Sequence, residues 1–157
     1  PYSCDLLLEN PLEKDADKQK TLDLLLKLPK PFFVNTHTLT HFPKQELTEY
    51  LLENKVISED DVEDRKKESF EHNRWNPHLD ITRDKINMFW SCIYYLASMK
   101  LVFSKDIVIR ISRNNILKKY PFILLMALKC YEQLIAILNK CYRIVLINLK
   151  PHVYYKP

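Results

Sequence analysis

Glycine is absent from this chain of 157 residues, where an average composition of ~7% would place about eleven. Any motif that needs a positive φ, or a backbone approach closer than a Cβ permits, is therefore excluded. The P-loop, the G-x-G-x-x-G dinucleotide turn, the G-x-S-x-G nucleophile elbow and the glycine-rich RNA-binding signatures all go. No cofactor is implied. Alanine is scarce as well, with four residues, while Lys, Asn, Ile, Tyr and Phe together number 57. That is the bias of a gene written in A/T-rich codons, as in DNA viruses and some protists. It accounts for part of the missing glycine, whose codons all begin GG.

Other absences narrow the class further. The four cysteines (Cys4, Cys92, Cys130, Cys141) show no C-x-x-C spacing, so a zinc or redox motif is not indicated. Three lie inside apolar helical patterns and are expected to be reduced, structural thiols, with Cys92 and Cys130 buried and inert. No signal peptide is evident. The weakly polar run from Ile86 to Phe103 carries Asn87, Ser91, Ser98 and Lys100, which makes it a buried helix rather than a membrane span. An intracellular location, cytoplasmic or nuclear, is expected. Starting on Pro1 without methionine, the sequence is expected to be either a fragment or only the ordered part of a longer chain.

What is present is a single domain's worth of residues, 46% hydrophobic and 28% charged, enough for a substantial core. The charge is unevenly spread. Residues 1–80 sum to −6 and residues 81–157 to +10, an asymmetry that can mark an anion-binding half. The segment 58–80 is expected to be a charged helix and loop connecting the two halves. Ser58 caps its start, and the acids Glu59 to Asp61 follow where a helix dipole favours them. Trp75 is expected to pin its loop onto the core.

Hydrophobic periodicity predicts a mainly α fold. Helices are expected from Asp15 to Leu28, from Pro43 to Val56, from Arg83 to Leu101 with Thr82 as cap, and from Lys118 onward, with Asn139 ending or bending the last. Phe32 to Phe42 reads as extended. Ile86, Phe89, Trp90, Ile93, Tyr94, Leu96 and Ala97 cover most of the third helix, which should be central. After it, Leu101-Val102-Phe103, Ser104-Lys105-Asp106 and Ile107 to Ile111 read as strand, turn and strand, a minor β-hairpin near 101–112.

Helix, strand, turn and strand across 83–112 is similar in outline to the third helix and wing of a winged-helix domain. That resemblance implies that Arg83, Lys85, Asn87 and Ser91 face a DNA groove, with Lys105 and Arg110 on the wing touching phosphates. Arg113, Lys118 and Lys119 extend the same basic half.

Local constellations for chemistry are weak. His37 and His41 share H-x3-H spacing, but in an extended stretch this separates them by ~13 Å. Glu59, Asp60, Asp61, Glu63 and Asp64 lack the alternating ligands and turn glycine of a calcium loop. No metal site is expected, and no catalytic residue is assigned, though a site built from distant residues would leave no local motif. Aromatic residues are plentiful, favoured where an interface needs area with a polar handle. The expected function is a non-catalytic protein-interaction module or subunit of a larger assembly, with Tyr120, Tyr131, Tyr142, Tyr154 and Tyr155 on the partner-binding side. Self-association is an equal form of that reading. Nucleic-acid binding is the alternative, and an enzyme the second alternative.

Overall fold

In a computed structural model the described residues are 2–30, 32–63, 84–99 and 103–148, with the backbone alone for 143–148. They form a mainly α fold with a minor β element. Strand β1 (Tyr2–Leu8) leads through helix α1 (Asp15–Leu25) to β2 (Phe32–Thr38), then to α2 (Glu46–Glu53). After a helical stretch at 59–63, four more helices follow among the described residues: α3 (Lys85–Ser98), α4 (Lys105–Ser112), α5 (Asn115–Lys119) and α6 (Pro121–Asn148).

The β element is a parallel pair, β1 beside β2, in register Tyr2 with Phe32 through Leu8 with Thr38. A parallel pair needs a crossover of a dozen or more residues, usually a helix, and α1 supplies it. Side chains alternate in both strands. Leu8, Phe32 and Val34 are buried on the inner face, while Leu7 and Phe33 are exposed on the outer one.

Helix α3 is the hub, in contact with α1, β2, α4, α5 and α6. Its Phe89, Trp90, Cys92, Ile93, Tyr94, Leu96 and Ala97 are all at most 1% exposed, as an all-round apolar pattern requires. Polar handles at its surface lock onto neighbours. Trp90 Nε1 donates to Asp15 Oδ1 at 2.8 Å, Tyr94 Oη to the Lys18 carbonyl at 3.0 Å, and the Ser91 and Thr36 hydroxyls lie 3.2 Å apart. Leu22, Leu25 and Leu26 of the α1 region complete this side of the core.

The expected hairpin near 101–112 is corrected. Residues 105–112 are helix α4, and Leu101 and Val102 lie outside the described residues. The alternation of Ile107 to Ile111 suits a helix equally well once Ser104 caps it, its Oγ accepting from the Ile107 N–H. Val108 and Ser112, one turn apart, then bury together. Tertiary packing has overridden the β propensity of three isoleucines. Without the hairpin there is no wing at Lys105 and Arg110, so the winged-helix outline of 83–112 does not hold.

Helix ends differ in smaller ways. The cap of α3 is Asp84, whose carboxylate accepts from Ile86 N–H and Asn87 N–H; Thr82 lies outside the described residues. Asn114 caps the short α5. Tyr120 then leaves the helical region, as a residue before proline does, and Pro121 restarts the chain as the first residue of α6. Asn139 does not end that helix, which continues to Asn148. Helix α2 closes with Lys55 N–H on the Leu52 carbonyl and Val56 N–H on the Leu51 carbonyl, the Schellman pattern. The left-handed residue it needs is Lys55, at φ 55°. Ser58 and Asp61 exchange cap hydrogen bonds, Ser58 N–H to Asp61 Oδ2 and Asp61 N–H to Ser58 Oγ. Beyond residue 63 the connector and Trp75 lie outside the described residues.

Candidate interaction surface

Helix α6 has two different halves. From Pro121 to Leu128 it buries Leu124, Leu125 and Leu128 against α3. From Gln133 to Tyr142 every residue is exposed. The second half is not polar: Leu134 is 54% exposed, Ile137 59%, Leu138 54% and Tyr142 63%. Exposed apolar surface of this extent is uncommon on monomers that live in water.

The exposed apolar residues continue up the outer side of the first half. Ile123, Ala127, Cys130, Leu134, Ile137 and Cys141 are all exposed and recur every four or three residues. This stripe lies on the side of α6 away from Leu124, Leu125 and Leu128. Polar side chains occupy a separate arc. At about 100° per residue, Lys129, Glu132, Gln133, Asn139 and Lys140 fall within roughly 120° of one another. Part of that arc faces the body, where the Glu132 carboxylate accepts from the Tyr95 hydroxyl. Burial, then Glu132, pushes the Tyr95 phenol above its ordinary range.

By length and composition alone, Pro121–Tyr142 is able to cross a membrane. This is not the run that begins at Ile86, of which the fold buries Asn87 to Tyr94, Leu96 and Ala97. A bilayer span is usually apolar on all sides, whereas α6 carries its polar arc and seats its first half on a protein core.

The tyrosines expected at a partner surface separate. Tyr120 and Tyr142 are exposed, Tyr131 is half-buried, and Tyr154 and Tyr155 lie outside the described residues. The more extensive apolar surface, Leu134, Ile137 and Leu138 above all, is aliphatic and was not singled out by counting aromatics. Its signal was an apolar arc wider than one packing face can use. Cys130 is exposed rather than buried, as is Cys141, because its position faces away from α3. Cys92 fits its expected place; burial pushes its thiol up to about 12, with Lys129 acting weakly in the other direction.

The basic residues do not form one surface. Asn87 and Ser91 are buried, 7% and 2% exposed, the first held to the Asp84 cap and the second to Thr36, so they cannot reach a DNA groove. Arg83 lies outside the described residues. Lys105, Arg110 and Arg113 are exposed on and just beyond α4. Lys85, Lys118 and Lys119 come together elsewhere, in an open groove of about 610 Å³ shared with Glu13, Lys18 and Asp84. Carboxylates offset them there. Lys118 Nζ donates to Asp15 Oδ2 at 2.6 Å, and the 4%-exposed Lys18 pairs with Glu13 at 3.1 Å.

Among the described residues no cluster of three metal-ligating side chains occurs. Comparison with known proteins returned no matching family model, no matching curated protein and no matching solved structure.

Proposed function

We propose that this chain is a non-catalytic interaction module that binds a protein partner through the outer side of α6. The observation that carries the reading is a long helix anchored by its first half and presenting Leu134, Ile137, Leu138 and Tyr142 to solvent in its second. Each such side chain gains about 1.5–3 kcal/mol when fully covered. Nothing of comparable apolar extent favours a nucleic-acid reading, because the basic residues are divided between two places and partly neutralised.

The test compares the full chain with a Leu134→Lys, Leu138→Lys double variant. Both positions are exposed, so the fold should survive, and circular dichroism verifies that it does. Light scattering after size exclusion, together with affinity capture from the native source, should show association that the double variant loses. A monomer that captures nothing the variant fails to capture would sink the reading.

A further inference from the structure

We infer that the partner on α6 is a second copy of this chain, the two helices lying antiparallel about a two-fold axis between residues 135 and 136. This rests on the reading that the outer side of α6 is an interaction surface, and it names the occupant.

The spacing of the stripe is the first argument. Ile123, Ala127, Cys130, Leu134, Ile137 and Cys141 alternate steps of four and three residues, the repeat by which two helices form a seam. The side chains are exposed along the whole run, and the described part of the body sits on the other side of the helix, so a second helix meets no obstruction from the described residues.

The order of residues supplies the second argument. About an axis between 135 and 136 the central part of the stripe is self-complementary: Leu134 lies against Ile137 of the other copy, and Cys130 against Cys141 of the other copy. A parallel pairing places Leu134 at an a position and Ile137 at a d position, a combination that shifts parallel assemblies to three or four strands. A protein body on every α6 opposes such crowding. The antiparallel pair separates the two bodies to opposite ends, and lays the solvent-exposed stretch around residues 133–138 of each helix along the same stretch of the other.

Size is the third. At ~25 cal/mol per Å² and about 1.5–3 kcal/mol per large aliphatic residue, each contributes on the order of 100 Å². Covering the five large side chains Ile123, Leu134, Ile137, Leu138 and Tyr142 therefore removes roughly 500 Å² per copy, which matches the ~1,000 Å² in total that a specific interface needs. A bilayer would cover the same residues, but it would also take Lys129 with them, well inside the Pro121–Tyr142 run, and a lysine at the centre of a span costs ~2.5–3.5 kcal/mol.

The experiment uses the full chain in a Cys4→Ser background, alone and with Cys130→Ser or Cys141→Ser added. Under reducing conditions light scattering should give twice the 18.8 kDa chain mass for all three, and a monomer for Leu134→Lys. Copper(II)–phenanthroline then joins two facing thiols, copper taking the two electrons and solvent the two protons. The chain with both cysteines should cross-link as a dimer, and either single serine variant should abolish the cross-link while the dimer persists. Cross-linking that survives in both single variants means a parallel pair and overturns the inference. So does a monomer at every concentration, or association only with phosphatidylcholine vesicles. A monomer that still captures a different protein through Leu134 removes the second copy but leaves the interaction module standing.

Discussion

Asp15 accepts hydrogen bonds from two directions, Trp90 Nε1 on Oδ1 at 2.8 Å and Lys118 Nζ on Oδ2 at 2.6 Å. One carboxylate in the first turn of α1 thus fastens the central helix α3 and the short α5 to the strand–helix–strand unit. Lys118 also lies 5.5 Å from the Trp90 ring centre, so cation, anion and indole form one cluster.

Asp15→Ala leaves the N–H of fully buried Trp90 without its acceptor. An unsatisfied buried donor costs about 1–3 kcal/mol, and that range is the expected loss in urea unfolding, with Asp15→Asn milder because an amide oxygen still accepts. The same group sets an acid limit. Burial raises the Asp15 pKa, but the hydrogen bonds from Lys118 and Trp90 and the Lys118 charge outweigh it and hold the carboxyl below the ordinary 3.8. A depressed folded pKa means the contribution is whole above 3.8 and lost as the pH falls through the folded value. Unfolding followed by Trp fluorescence should show wild type losing its advantage over Asp15→Asn only in that acidic window.

Lys18 and Glu13 should respond asymmetrically. Lys18 is 4% exposed, and its ammonium is held by Glu13. Glu13→Ala strands that charge, which costs roughly 3 kcal/mol. Lys18→Met removes the charge and keeps the stem, so its cost should be small. Equal losses in the two variants would show that the pair is screened like a surface ion pair.

Thiol reactivity should sort by exposure. Cys130 and Cys141 are exposed, and Cys92 is buried with its thiol pushed up to about 12. The thiolate is the reacting form. At mildly alkaline pH iodoacetamide should therefore modify Cys130 and Cys141 in the native monomeric Leu134→Lys variant and Cys92 only after unfolding, as read by peptide mass spectrometry.

The left-handed cap of α2 offers a gain rather than a loss. Lys55 holds φ 55° at the position where a Schellman motif favours glycine, and a residue with a Cβ is strained there by roughly 1 kcal/mol. Lys55→Gly should raise the thermal midpoint, with Lys55→Asn in between. A lower midpoint for the glycine variant would mean that the Lys55 side chain stabilises the turn.

Salt-dependent nucleic-acid binding, if it occurs, should depend on Lys105, Arg110 and Arg113 and not on Asn87 or Ser91. Glutamate at the first two should abolish any affinity that falls between about 50 and 200 mM salt. Affinity unchanged by those substitutions would exclude the outer side of α4 as the site.

Much of the helical framework was legible from periodicity. The all-round apolar run at Phe89 to Ala97 identifies a central helix without reference to its neighbours, and Leu22, Leu25 and Leu26 identify the buried side of α1. What escaped was decided by partners distant in sequence. Whether Ile107 to Ile111 coil or extend depends on Ser104 capping and on Val108 reaching α3, and alternation cannot report either. The strand character of Tyr2–Leu8 comes from Phe32–Thr38, about thirty positions away. The same limit applies to the interaction surface. An apolar arc from Tyr120 to Tyr142 is visible in the sequence, but which side of it meets α3, and hence that Cys130 and Leu134 face outward, is set by packing.

The reliance of the strand–helix–strand unit on α3 also has a consequence in time. Leu22, Leu25, Phe32 and Val34 bury against side chains such as Phe89, Trp90 and Ile93, and the Asp15–Trp90 bond spans 75 positions. At roughly 5–20 residues per second of synthesis, several seconds separate the emergence of Asp15 from that of Trp90. During that interval β1, α1 and β2 have no hub to close on, and their leucines stay open to solvent. Until the central helix leaves the ribosome, the opening quarter of this protein carries a set of apolar side chains whose burial is still to come.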